Sequence, residues 1–278
     1  MEKNESFSRE GYLKENYHYF HLRDTAGQER DFHFLEFDKI VLHISGRVEY
    51  IVENQTYELR PWTVLLVKHH TIHKAVIDTK EPYERIIIYL DRKYFERVLP
   101  GSGLTDCFEM ADKPGKQLLK PEESQRKALE DLLRAYEREQ KDGDFGAQAL
   151  RDTIVMQMLI IIGRMSAAGA EAPELSCDPK IREALSYINE NLSGDLSVDA
   201  LAERVYLSRY HFMRLFKAQT GSTVHAYVRQ KRLLCAARLM RGGIPASQAA
   251  ADSGFSDYSA FHRAFKESFG ISPGQIKN

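Results

Sequence analysis

Phe212, Arg214, Phe216, Lys217 and Gly221 recur 49 positions later as Phe261, Arg263, Phe265, Lys266 and Gly270. Phenylalanines four apart share one helix face, so the cations between them stand on another. An arginine fork can take the O6 and N7 of one guanine, whereas a lysine is a point charge suited to a phosphate. Two copies in matching register demand two equivalent contact surfaces, which a nucleic-acid duplex offers in successive grooves.

Each copy follows a short amphipathic stretch and a turn, the pattern of a helix–turn–helix whose second helix enters the major groove. Phe212, Leu215 and Phe216 face inward in the first copy, toward Leu201, Ala202 and Val205. Phe261 and Phe265 do so in the second, toward Ala249, Ala250 and Phe255. The outward residues near each second-helix N-terminus form the reading sets: Arg209, Tyr210, Met213 and Arg214, then Tyr258, Ser259, His262 and Arg263. Tyr and Ser can bond bases or phosphates, Met can touch a thymine methyl, and Lys217 and Lys266 suit phosphates.

The elements that must position these residues are legible from caps and breakers. Ser197, Ser208 and Asp257 are N-cap types, Pro245 suits a first helical turn, and Gly221 and Gly270 close helices. The two units span about 197–221 and 245–270, and a helix opened by Thr223 and ending before Gly242-Gly243 joins them. At about 18 residues that helix is roughly 27 Å long, near the roughly 34 Å repeat of a duplex.

Upstream the periodicity changes. Short β-branched and aromatic runs at 40–44, 48–52, 64–67, 72–77 and 85–90, broken by Gly, Asn and Pro, predict an antiparallel barrel or sandwich. Helical spacing appears at 122–141 (Leu129, Leu132, Leu133, Tyr136) and again at 145–165 (Leu150, Ile154, Met158, Ile161, Ile162). The second of these is apolar on more than one side and must be covered on more than one side. Either the chain's own core covers it, or a second subunit does, with Ile154, Met158 and Ile161 as the dimer contact. The small, polar, proline-bearing stretch 166–179 reads as a linker. The organisation expected is a barrel with an N-terminal arm (1–105), a helical dimerisation segment (106–165), that linker, and an all-α unit (180–278). The fold class is α+β in two domains.

Net charge divides in the same place. The chain is −1 overall, yet from Asp178 onward 14 Lys and Arg face 9 Asp and Glu, while the front carries 25 against 31. A basic tail behind an acidic front places the polyanion contact in the tail. Cys107, Cys177 and Cys235 lack metal-ligand spacing, the polar N-terminus is no signal peptide, and no apolar run is long enough to span a bilayer. A cytoplasmic protein without membrane contact is expected. No acid–base carboxylate pair, nucleophile motif or phosphate-binding Gly loop stands out, so no catalytic residue is assigned.

The tail resembles the AraC/XylS family of bacterial transcription regulators over about 181–273, through LSVDALAERVYLSRYHFMRLFKAQTG, YVRQKRLLCAARLM and ASQAAADSGFSDYSAFHRAFKESFGISP. The family's closing Pro-x-x-Tyr-Arg is here Pro273 followed by Gly, Gln, Ile276 and Lys277. The resemblance implies a double reading head on promoter DNA and a change in promoter activity, usually activation, through RNA polymerase. The front resembles the cupin-like sensing domain such proteins carry, through His33, the Ser45-Gly46 turn, Pro61 and His73. Where enzymatic cupins place His-x-His and then Glu, this chain has His33, Leu35 and Lys39. With that ligand set incomplete, neither metal nor other cofactor is expected. His33 and His73 either line a barrel-mouth pocket or are hydrogen-bonded structural histidines. Trp62 either stacks on a sugar or packs, and Tyr50 and Arg85 join the candidate ligand set. The function implied is a homodimeric regulator answering a small effector, by resemblance a carbohydrate. Its alternatives are a regulator whose barrel binds no ligand, and a cupin enzyme with a DNA-binding tail.

Overall fold

The computed structural model describes residues 13, 15–25, 33–52, 55–69, 71–78, 80–111, 116–142, 144–169, 178–220 and 222–276. Its front is two antiparallel sheets. β1 (Tyr17–Asp24), β7 (Tyr83–Leu90), β2 (Asp38–Ser45), β5 (Val64–Val67) and β8 (Leu118–Leu119) lie side by side in that order. β4 (Gln55–Glu58), β3 (Val48–Val52) and β6 (His73–Ile77) form the second sheet. Alternation along the strands divides the side chains. Val41, Leu65, Val67 and Ile87 meet Val48, Tyr50, Val52 and Tyr57 between the sheets. Ile40, Leu42, Val64, Leu66, Ile86 and Ile88 point the other way, onto helices. At the β2–β3 turn Gly46 takes a φ of +89°, and a Cβ there would lie 2.5 Å from the Pro82 carbonyl oxygen. Only glycine fits that close approach without a shift of backbone.

The covering helices are α1 (Arg92–Val98), α2 (Asp106–Ala111), α3 (Glu123–Asp142) and α4 (Ala147–Ala167). Ile154, Val155, Met158, Leu159, Ile162 and Met165 of α4 are buried with Leu129, Leu133 and Tyr136 of α3 against the sheet. Ile154 and Met158 are therefore core residues of the chain itself, which corrects their expected place at a dimer contact. At 3% and 2% exposure they have no surface to offer a partner. A polar clamp seats α4: Asp152 accepts from Tyr17 (2.9 Å), Tyr94 (3.0 Å) and the Gln148 amide (2.7 Å).

Several elements differ from expectation. β1 lies upstream of the anticipated strands; its sequence YHYFHLRD is polar enough to hide the pattern, because one side of this edge strand is only partly covered. α1 and α2 are too short to show helical periodicity, though Asp91 caps the first of them through the Lys93 amide. Of the expected linker, Ser166 and Ala167 still belong to α4, and 170–177 lie outside the described residues, as does Gly221.

The tail is helical: α5 (Pro179–Glu190), α6 (Val198–Arg204), α7 (Arg209–Thr220), α8 (Val224–Arg241), α9 (Ala246–Asp252), α10 (Tyr258–Phe269) and a 3-10 turn at Pro273–Gln275. The Ser197 side chain accepts from the Ala200 amide, Thr223 from Ala226 and Asp257 from Ser259. Pro245 stands one place earlier than expected, as the N-cap of α9. Gly270, at φ +74°, ends α10 with its amide on the Lys266 carbonyl. Phe212, Phe216, Phe261 and Phe265 are fully buried and stack in one core with Tyr227 of α8.

Candidate nucleic-acid interface

Burying the phenylalanines turns the other side of α7 and α10 outward. Arg209, Tyr210, Met213, Arg214 and Lys217 are exposed on α7, Tyr210 at 76% and Met213 at 44%. On α10, Tyr258, Ser259, Arg263 and Lys266 are exposed and His262 is half-buried, its ring 6.3 Å from that of Tyr258. Arg209 forms an ion pair with Asp199 of α6, whereas Arg214 and Arg263 make none among the described residues. With both partners exposed, the Arg209 pair is worth at most about 1 kcal/mol and would yield readily to a phosphate. The 18 residues of α8 hold the two helices apart by a rod roughly 27 Å long.

Between the sheets, four of the five expected ligand residues come together. His33 bridges His73 through paired backbone bonds of 3.2 and 2.9 Å, with the rings 4.3 Å apart. Tyr50 lies under the Lys39 ammonium, 5.3 Å from ring centre to nitrogen. Arg85 lies over Tyr83 at 4.4 Å, donates to Asp24 at 2.6 Å, and keeps a buried Nη1 without a hydrogen-bond partner. Trp62 does not join them. It sits at φ +67° in the β4–β5 turn, packs on the helix-side core and faces the Arg126 guanidinium at 5.6 Å, so it cannot stack on a ligand held between the sheets. Lys39 and Tyr83 complete the belt in its place. The signal for Lys39 was a lysine in phase with Val41 and His43, beside the apolar run 40–42. No group of three or more His, Cys, Asp or Glu among the described residues could hold a metal.

His73 is fully buried. Its Nδ1 donates to the Thr71 carbonyl at 3.0 Å, which leaves the Nε2 lone pair to accept from Lys39 at 3.3 Å. Burial, then the neighbouring His33 and Lys39, hold its pKa well below the ordinary 6.5. The folded imidazole stays neutral while the unfolded one takes a proton near 6.5, so this stability is complete above that pH and lost as pH falls below it. Urea midpoints measured at about pH 7.5 and 5.5 should drop in the wild type and drop less in His73→Gln. An equal drop in both would assign the acid sensitivity elsewhere.

The front and tail touch next to that histidine bridge. The Phe34 ring lies 4.9 Å from Phe269 at the end of α10, Ile72 is buried in the tail's core, and Glu36 pairs with Arg241 at the end of α8. Burial raises the Glu36 carboxyl despite its arginine.

The description "AraC-like ligand binding domain" matches residues 16–159, and "Helix-turn-helix domain" matches 201–278. The chain belongs to the AraC/XylS family of transcription regulators. Among AraC-family relatives, LumQ of Photobacterium leiognathi is 25% identical over 257 residues, covering 90% of this chain and 93% of LumQ. The transcriptional activator RhaS of Escherichia coli O139:H28 is 25% identical over 247 residues, covering 88% and 86%. PocR of Salmonella typhimurium is 35% identical over 97 residues, which span 34% of this chain and 32% of PocR. As an AraC-family regulator, the chain combines an N-terminal ligand-binding domain with a C-terminal DNA-binding domain. Among the described residues, no helix is long and apolar enough to cross a membrane.

Proposed function

We propose that this regulator reads a two-part site in double-stranded promoter DNA with α7 and α10, and changes promoter activity through RNA polymerase in response to a small effector held between its sheets. The carrying observation is the pair of 12-residue helices presenting Arg214 and Lys217, and Arg263 and Lys266, at one register on either side of an 18-residue rod. Tyr210, Met213, Tyr258, Ser259 and His262 complete the reading sets, with Arg209 released from Asp199 on binding. The test is selection from a random DNA library by the full-length protein at fixed salt. Enrichment of two elements about one helical turn apart is expected. A single short element, or none with and without candidate effectors, would sink the double-head reading.

The effector is of carbohydrate type, since the lining of Lys39, Tyr50, His73, Tyr83 and Arg85 offers hydroxyl, ammonium and guanidinium partners for a hydroxylated molecule. His33 belongs to the same set at its edge. These groups serve binding rather than turnover, and the chain is not an enzyme. An effector there would act on the tail through the His33–His73 bridge and the adjoining Phe34, Glu36 and Ile72 contacts. Such coupling requires unequal affinity for the two arrangements. The tight packing of the belt, with Tyr50 at 2% exposure and Tyr83 and His73 at 0%, favours a second reading in which the barrel binds no ligand. A sugar panel in a thermal-shift assay separates the two, because a bound effector raises the melting temperature by mass action.

The regulator acts in the cytoplasm as a homodimer, a reading that the outward face of α4 supports. Leu150 and Ile160 are exposed at 45% and 41%, and Ile161 is half-buried beside them. Leu150→Asp with Ile160→Asp should give folded monomers in light scattering. Ile154→Asp should instead unfold the front, because it places a charge in the core. An unchanged dimer in the double variant would move the interface elsewhere.

A further inference from the structure

Arg232 is a cation of the DNA-binding tail whose guanidinium is taken up by the protein itself. It lies on α8, and its guanidinium turns back onto the loop between α5 and α6. There Nε donates to the Leu192 carbonyl at 2.8 Å and Nη2 to the Gly194 carbonyl at 3.0 Å. Those carbonyls stand just past the end of α5, ahead of the first helix–turn–helix. The turn of the second unit closes on the same spot. Gly254, between α9 and α10, takes a φ of +93°; a Cβ there would lie 2.4 Å from the Leu192 oxygen and 2.8 Å from Arg232 Nε. The equivalent turn position in the first unit is Tyr206, which adopts the same left-handed region but is 90% exposed and touches no such joint. The glycine is therefore required by the approach of backbone to backbone, beyond what the turn alone demands. A few residues away, the Gln230 amide donates to Ser268 of α10 at 3.1 Å, a second tie between the rod and the second head.

The length of α8 limits how far apart the heads sit, but not their rotation about the rod. Rotation is resisted where each head packs on the rod, in the core that α7, α8, α9 and α10 share, and where the two units meet directly. At Arg232 two charge-assisted bonds and one glycine contact lock the α5–α6 loop that leads into the first unit, the rod and the second unit's turn together. We infer that Arg232 and Gly254 form the joint that sets the mutual angle of the two reading helices, and thereby the spacing between operator half-sites that the protein accepts. The inference rests on the reading that both α7 and α10 enter DNA. Arg232 is a positioning residue: it meets neither base nor phosphate.

The experiment uses full-length protein and a panel of operators, built from the selected site, in which the half-sites are moved by single base pairs. Each base pair added turns the second half-site by roughly 35° about the duplex. The wild type should prefer one spacing over its neighbours by at least about tenfold, and Arg232→Gln should shrink that preference to about threefold or less. Base preference within each half-site and the salt dependence of binding should stay as in the wild type, since no phosphate contact is lost. Arg232→Lys, whose ammonium can still reach a carbonyl, should recover part of the preference. Gly254→Ala should lose it without any change of charge. An unchanged spacing profile in folded Arg232→Gln and Gly254→Ala would overturn the joint. So would a salt slope lowered by about one, because Arg232 would then be a phosphate contact. If Arg232→Gln does not fold, the profiles of Arg232→Lys and Gly254→Ala decide. A wild type that selects no two-part site would refute the double-head reading instead, so the two failures are distinguishable.

Discussion

Arg263→Ala should cost about 1–3 kcal/mol of discrimination at one position in the second half-site, roughly 10–100-fold between the preferred base and its competitors. The reason is local. Arg263 is exposed on α10, makes no ion pair among the described residues, and stands one turn beyond Ser259 on the side away from Phe261 and Phe265. On the proposed reading its guanidinium would enter a groove without first leaving a partner, so the full value of a bidentate base contact is at stake. Lys266→Ala should behave differently. It should weaken all sequences alike and flatten the salt dependence by about one, because a phosphate contact positions without reading. Binding to a library of single-base operator variants at two salt concentrations measures both effects. Loss of affinity without loss of discrimination in Arg263→Ala would reassign that residue to the phosphates. Arg214→Ala should repeat the Arg263 result in the first half-site, where Met213 beside it offers only a methyl or shape contact.

Asp38→Ala should destabilise the front by about 3–5 kcal/mol, the usual cost of removing one partner from a buried ion network. Asp38 opens β2 at 0% exposure. One oxygen accepts from the amide and Nδ1 of His69 at 2.8 Å each, and the other from Arg92 Nε at 3.2 Å. Arg92 and Lys68 also hold Glu109, so the cluster ties β2 and the end of β5 to α1 and α2. Without Asp38 the Arg92 guanidinium is left half-buried with only Glu109 to balance it. Asp38→Asn, which keeps an acceptor but not the charge, should lose less. Urea unfolding reads both, and a loss under about 1 kcal/mol in Asp38→Ala would show the network to be dispensable. The same cluster gives the front an acid-labile element. Lys68 and Arg92 hold the Glu109 carboxyl down to about 2, so its contribution is present above the ordinary carboxylate range and lost as pH falls toward that value.

Helices α7 and α10 were legible in the sequence because everything that makes them is local. Phe212 and Phe216, or Phe261 and Phe265, lie one helical turn apart, Ser197, Thr223 and Asp257 are N-caps, and Gly270 stops the last long helix. Periodicity decides which face is buried, and the opposite face is then known without further information. The antiparallel character of the front was also visible, from short apolar runs between turn residues.

What chain order could not supply was the partner of each face. α4 is apolar nearly all round, and both a neighbouring sheet and a second subunit satisfy that pattern; the sheet takes Ile154 and Met158, leaving Leu150 and Ile160 outside. Trp62 carries no mark of the side on which its turn falls, and the turn throws it onto the helices. Lys39 and Tyr50 lie on different sheets and become neighbours only because the two sheets close on each other, whereas Arg85 meets Tyr83 two places along its own strand. The Arg232–Leu192–Gly254 joint is of the same kind. An arginine in a basic helix looks like a phosphate contact until a loop 40 residues away presents its carbonyls to it. Secondary structure and amphipathic faces follow from forces acting over a few residues, whereas a long-range contact depends on how those faces pack, and many packings share one pattern.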